Sequence, residues 1–313
     1  MQKTRVLYLQ YLPEFDSYGI KKDVVAELNE QGIVAEILLP EDVQKKEVSA
    51  SESVIGFLLG QDKSENNEEY YTIGKSYLQA ILNTGANIRF LDYDNPYHQM
   101  KKCDGAILPG GVFNNPEDFY IDGKVLGDEI GKRYFAYRSV IAAAHKDKKP
   151  LLGICAGAQM IGALLGNMKM YRDIKNEVLH PAMHKPREET DVRVHRIQLI
   201  KDTPIFDIMG IKPEECKITI NSRHNQSMVH GVLQDYVVGE PKVKMDIYAI
   251  SESDSIPEIW GNEKAGILCV QGHPEDLIVD AKMQNIYNYV VRKAREFKTR
   301  QNLPHFRKQK ELY

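Results

Sequence analysis

The chain has 313 residues, 42% of them apolar and 27% charged, and a formal net charge of −3. That length suits one large α/β domain or two small ones, burying most of their apolar surface without staples. So small a net charge gives no field arguing for nucleic acid or an anionic membrane, and neither is expected as a partner.

In chain order, residues 5–9 read as a strand, residues 20–31 as an amphipathic helix and residues 33–39 as a second strand stopped by Pro40. Together they predict one β-α-β unit, followed by a polar connection over 41–52. A second series then begins: strand Val54–Leu59, helix Tyr70–Thr84, strand Ile88–Leu91 and strand Ala106–Leu108. It continues with helix Asp128–Lys146, strand Leu151–Ile154 and helix Ala158–Leu165. Strands alternating with helices predict a mainly parallel sheet with helices on both faces. From Met168 to Glu263 the pattern turns to short strands, Val194–Ile200, Lys217–Ile220 and Ile247–Ile250, which predict a small antiparallel region. Ile267–Gln271 reads as the last strand and Ile286–Phe297 as a closing helix. The end of the chain is basic, through Arg292, Lys293, Arg295, Lys298, Arg300, Arg307, Lys308 and Lys310, and reads as a solvated helix end suited to the helix dipole.

Only five apolar residues follow the first basic ones, too few for a signal-peptide core, and no later run approaches membrane-spanning length. Cys103, Cys155, Cys216 and Cys269 form no CxxC pair, so free thiols in a reducing cytoplasm are expected. Secretion by a route independent of a signal peptide would leave the same signature. His180, His184 and His195 sit close together, but at irregular spacing and with no carboxylate placed beside them. They read as surface or structural residues, and neither a metal nor a cofactor is expected.

The segment Leu151-Leu152-Gly153-Ile154-Cys155-Ala156-Gly157-Ala158-Gln159 joins an apolar strand to a helix through small residues. Such spacing fits a nucleophile elbow, a sharp turn that lifts one side chain above the sheet. The helix N-terminus beneath Cys155 favours the thiolate, the form that attacks. A cysteine is more often a small core hydrophobe, and Cys269, inside an apolar strand, reads that way. Cys155 therefore needs a base and a group to orient it. Gly272-His273-Pro274-Glu275 places both at the mouth of another predicted strand, at the sheet edge where α/β proteins build their sites. Leu108-Pro109-Gly110-Gly111 follows a third strand, and an N–H of Gly110 or Gly111 together with that of Ala156 would form an oxyanion hole.

Glycine turn, Gly-x-Cys-x-Gly-x-Gln and His-Pro-Glu, in that order, resemble the class I glutamine amidotransferase superfamily with its Cys-His-Glu triad. The closer resemblance is to the γ-glutamyl-γ-aminobutyrate hydrolase family, peptidase family C26. Asn115-Pro116 and Phe119-Tyr120 after the glycine turn, Tyr171-Arg172-Asp173-Ile174, and Asn221-Ser222-Arg223-His224-Asn225-Gln226 are similar to that family's segments. The likeness covers residues 53–297 and leaves out residues 1–50. It implies a flavodoxin-like α/β fold of the class I amidotransferase type. It divides the chain into an extension at 1–50, a hydrolase domain at 51–298 and a basic tail at 299–313.

The resemblance implies that Cys155, His273 and Glu275 are catalytic and that Gly111 and Ala156 form the oxyanion hole. Asn221, Ser222, His224 and Gln226 then lie beside the substrate, with Gly110 and Gln159 as further contacts. Two positions depart from the family pattern. Gly272 replaces a bulky aromatic, which is expected to open the pocket beside the base. Ala156 replaces a larger or basic residue but keeps its N–H. The expected reaction is hydrolysis of a small γ-glutamyl amide through a γ-glutamyl thioester. Two alternatives stand beside it: a glutaminase subunit delivering ammonia to a separate synthase partner, and a catalytically quiet binding protein. The oligomeric state is left open, a homodimer included.

Overall fold

The computed structural model describes residues 6–31, 36–38, 43, 53–112, 114–122, 130–185, 192–229 and 241–302. Nine strands form one sheet, in the order Lys217–Ile220, His195–Leu199, Asp246–Ser251, Pro257–Asn262, Ile267–Val270, Leu151–Ile154, Gly105–Leu108, Val54–Leu58 and Asn87–Leu91. The five from Ile267–Val270 onward run parallel, and the first four are added antiparallel. The antiparallel region expected from sequence thus continues the main sheet. Strand Pro257–Asn262 escaped the sequence reading because proline and glycine interrupt its apolar run.

Helices cover both faces, as alternation predicts. Ile286, Tyr287 and Val290 of helix Ala281–Asn302 and Leu78 and Ile81 of helix Lys75–Leu82 belong to one apolar cluster. Tyr137, Val140 and Ile141 of helix Lys132–Asp147 and Met160 and Ile161 of helix Ala156–Gly166 belong to a second. The parallel strands between these layers are buried except at Val54 and Asn87, where two of them begin, hence their largely apolar sequences.

Near the N-terminus, Val6–Tyr8 pairs in parallel with Glu36–Leu38, and helix Lys22–Glu30 lies between them in sequence. Ile20 is not helical: Ser17–Lys21 is a strand that pairs with Gln10–Leu12 and with Glu69–Gly74. With Gly60–Lys63 they make a separate four-stranded antiparallel sheet. The expected helix Tyr70–Thr84 is therefore strand up to Gly74 and helix only over Lys75–Leu82. Tyr70, Tyr71, Thr72 and Ile73 are aromatic or β-branched, and strand pairing on two sides wins over their helical spacing. Residues 33–35, 39, 128–129, most of 41–52 and the tail beyond Asn302 lie outside the described residues. Among the described residues no helix is long and apolar enough to cross a membrane.

Candidate active site

Three neighbouring parallel strands end at one edge. Gly153 pairs with Leu108 on one side and with Cys269 on the other, so the glycine turn, Cys155 and His273 emerge together. Cys155 sits between its strand and helix Ala156–Gly166 at φ 49° and ψ −112°. Such a conformation costs a non-glycine residue about 1–3 kcal/mol and persists only where the surroundings enforce it. Here the Cys155 N–H donates to the Val270 carbonyl at 2.8 Å, and the Cys155 carbonyl accepts from the Gln159 N–H at 3.0 Å. The side chain is buried but for 8% of the residue's surface, at the positive end of the helix.

The His273 ring and Cys155 meet at Gly110, where a β-carbon would lie 2.9 Å from His273 Cε1 and 3.1 Å from Cys155 Cβ. The His273 Nδ1 lies 2.6 Å from Glu275 Oε1. Burial opposes charge on this imidazole, but the Glu275 carboxylate and the Cys155 sulfur outweigh it and raise its pKa. A thiol, an imidazole and a carboxylate are thus brought together at one sheet edge. Such a set can form and break an acyl bond on sulfur.

Gly110 packs against both Cys155 and His273, with no room for a side chain. Its N–H donates to Tyr77 Oη at 2.9 Å and its carbonyl accepts from Arg133 Nη2 at 2.6 Å. Both polar groups of Gly110 are thus engaged, so of the two glycines expected as oxyanion donors it is Gly111 that fits the expectation. Gly111 has φ +147°, a conformation that favours glycine. Ala156 is the first residue of its helix, so its N–H has no intrahelical acceptor.

Several residues expected beside the substrate are hydrogen-bonded to His273 or to their neighbours around it. Asn221 Nδ2 donates to the His273 carbonyl at 2.8 Å, and its Oδ1 accepts the His273 N–H at 3.1 Å. Ser222 is fully buried and donates to the His184 carbonyl. Gln159 Nε2 donates to the Gln226 carbonyl at 2.8 Å and to Gln271 Oε1 at 3.1 Å, bracing the loop against the sheet. His224 is buried, with Nδ1 2.9 Å from the Gln226 carbonyl. Gln226 is half-buried, and its Oε1 accepts from Tyr120 Oη at 3.2 Å beyond the glycine turn. A side chain at Gly272 would start 2.9 Å from the Asn221 carbonyl oxygen, and the cavity that Gly272 and His273 line is only about 10 Å³.

The sequence reading missed Tyr77, Arg133, Arg223 and Asp276. Tyr77 and Arg133 lie on helices without a motif. The Tyr77 phenol is pushed well above its ordinary pKa by burial and by the Glu275 charge, so it remains a neutral group beside the triad. Arg133 also reaches Tyr137 Oη at 3.1 Å, which in turn donates to the Pro109 carbonyl at 2.6 Å. These two residues hold the glycine turn. A cavity of about 160 Å³ opens beside it, lined among others by Asp62, Thr72, Tyr77, Gly110 and Arg133.

Asp276 lies behind Glu275, 2.6 Å from Arg223 Nη2, and accepts from Ser76 Oγ at 2.8 Å. Burial and then the Glu275 charge push its carboxyl from 3.8 up to about 6, against the pull of Arg223 and Ser76. The folded chain therefore holds this proton more tightly than the unfolded chain. The stability linked to it is complete below 3.8 and fades as pH rises through about 6. Relative to Asp276→Asn, the wild type is expected to lose up to about 3 kcal/mol between pH of about 4 and about 7. Urea unfolding of both proteins at the two pH values measures the difference. An unchanged gap would show that Asp276 does not titrate in this window.

Residues 53–275 match the family described as Peptidase C26. A protein of Lactococcus lactis subsp. lactis described as glutamine amidotransferase-like is 26% identical over 220 residues, 67% of this chain and 82% of that protein. Protein NtpR of Enterococcus hirae is 23% identical over 132 residues, 41% of this chain, and the match spans only 52% of that protein's length. A solved Thermoplasma acidophilum protein described as a GMP synthase subunit superposes with a TM-score of 0.51 at 15% identity. It covers 81% of this chain and 100% of that one, a likeness of fold alone.

Proposed function

The chain belongs to the peptidase C26 family, and from that membership we propose that it hydrolyses γ-glutamyl amides with Cys155 as nucleophile. At the coarser level it is a cysteine-type amidohydrolase or glutaminase of the class I glutamine amidotransferase superfamily. The observation that supports a cysteine nucleophile is the His273 ring, held by Glu275 at 2.6 Å, meeting Cys155 at Gly110.

In the proposed reaction, the Cys155 sulfur attacks the γ-carbonyl carbon while His273 holds the thiol proton. The Gly111 and Ala156 N–H groups receive the negative oxygen of the tetrahedral intermediate. The C–N bond breaks, the amine leaves with the proton from His273, and a γ-glutamyl thioester remains. A water then gives a proton to His273 and attacks the thioester, releasing glutamate and the thiol. The neighbouring cavity suits the amino-acid end of a glutamyl group. Arg133 and Asp62 are among its lining residues, a cation to match the α-carboxylate and an anion to match the α-ammonium. A reducing compartment such as the cytoplasm fits this chemistry, because the nucleophile must stay a free thiol.

The test is a panel of γ-glutamyl amides of γ-aminobutyrate, a polyamine and an amino acid, with glutamine and the α-linked isomers beside them. Glutamate release from a γ-linked amide, and from no α-linked isomer, is the expected result. Turnover of glutamine alone would move the assignment to a glutaminase. Equal turnover of the α-linked isomers would sink it.

A further inference from the structure

Behind the triad, on the far side of the Asn221–Gln226 loop, three histidines and two carboxylates meet. His184, His195, His224 and Glu258 are all buried, and the Asp254 side chain has no exposed surface. The His184 ring centroid lies 4.7 Å from that of His195 and 4.7 Å from that of His224. None of these side chains takes part in the proposed reaction.

We propose that His184 Nδ1, His224 Nε2 and the Glu258 carboxylate bind one divalent transition-metal cation, with zinc the best fit to the donor set. Three observations carry this. First, His184 Nδ1 is 3.5 Å and His224 Nε2 is 3.9 Å from Glu258 Oε1, and the three donors all lie within 4.8 Å of one another. Donors on a tetrahedral zinc stand about 3.4 Å apart when the metal bonds are about 2.1 Å long. The arrangement is slightly wider than that, and a cation would draw it together.

Second, the other nitrogen of each ring is already held. His184 Nε2 is 2.7 Å from Asp254 Oδ2, and His224 Nδ1 is 2.9 Å from the Gln226 carbonyl. A carboxylate or carbonyl on the outer nitrogen is how metal-binding histidines are oriented, and it turns the inner lone pair toward the ion. His195 Nε2, 2.9 Å from Glu258 Oε1, steadies the carboxylate in the same way.

Third, His184 Nδ1, His224 Nε2 and Glu258 Oε2 have no hydrogen-bond partner among the described residues, although all three are buried. Two unpaired ring nitrogens facing a buried carboxylate whose other oxygen is also unpaired are costly unless something positive lies between them. A cation here would also lie close to two carboxylates, Glu258 and Asp254, whose side chains have no exposed surface. The metal would tie the Asn221–Gln226 loop, whose Asn221 clamps His273, to strand Pro257–Asn262. Its role is positioning.

The experiment uses the full chain stripped with a chelator, then titrated with Co²⁺ and, separately, Zn²⁺. The expected result is about one equivalent of Co²⁺ with the visible absorption of a tetrahedral nitrogen–oxygen site. That band should persist in Cys155→Ala, which removes the triad sulfur as an alternative ligand, and vanish in Glu258→Gln. Zn²⁺ should raise the melting temperature of the stripped wild type. The wild-type titration decides even if Glu258→Gln fails to fold. No bound Co²⁺ at saturating free cation would mean that protons alone fill the cluster, and a band lost in Cys155→Ala would place the ion at the triad. Either result overturns the proposal.

Discussion

Cys155→Ala is expected to lower kcat/KM for a γ-glutamyl amide by at least about 10,000-fold, with the fold intact. The thiol is replaced by a methyl group at a position where the backbone is already held by Val270 and Gln159. No other side chain at the site can replace the sulfur. Cys269 is fully buried in its strand, and its thiol is pushed well above the ordinary value by burial. Residues that act as one unit lose activity together and not additively. His273→Ala should therefore fall nearly as far, and the double variant should be no worse than Cys155→Ala alone. Steady-state kinetics on the three proteins measures this. Additive losses would show that the two groups work separately.

Gly157→Ala is expected to cost about 3 kcal/mol of stability and to slow turnover by about 100-fold. A β-carbon there would lie 2.1 Å from the Leu108 carbonyl oxygen and 2.7 Å from its carbon. Both are main-chain atoms of the strand that leads into the glycine turn, so no rotamer change relieves the clash. Either helix Ala156–Gly166 or the turn must move, and each carries one of the two proposed oxyanion donors. Gly162→Ala on the same helix is the control. Its β-carbon would meet only side chains, the flexible end of Met228 at 3.1 Å and the Trp260 indole nitrogen at 3.2 Å. The gain of about 1 kcal/mol in helix propensity offsets part of the cost of these milder contacts. Urea unfolding and kinetics on both variants should separate them clearly. Equal stability of the two would mean that the close approach at Gly157 does not exist.

What could be read from the sequence was local. The elbow at 153–157 and the His-Pro-Glu segment each compress a strand end, a turn and a reactive side chain into a few residues. The parallel order of their strands follows from alternation with helices. Structure made by distant pairing stayed hidden. Glu69–Gly74 looks helical until its partners Ser17–Lys21 and Gly60–Lys63 are known. Asn221 was placed by motif, but its clamp on His273 spans 52 residues of chain and leaves no periodic trace. Arg133 reaches the glycine turn from a helix whose spacing shows only its apolar face. The histidine cluster is the clearest case. His184 and His195 lie close in the sequence, but their carboxylates, Asp254 and Glu258, arrive from 70 and 63 residues away.

The central claim is that one of four cysteines is held beside a base at the mouth of the sheet. The most direct measurement is mass spectrometry after brief exposure to a glutamine-like electrophile. One adduct should form, on Cys155, with Cys103 and Cys269 unmodified, since burial pushes the Cys103 thiol up to about 12 and the Cys269 thiol well above its usual value. The adduct should be lost in His273→Ala. Labelling spread over several cysteines, or undiminished without the histidine, would contradict the account.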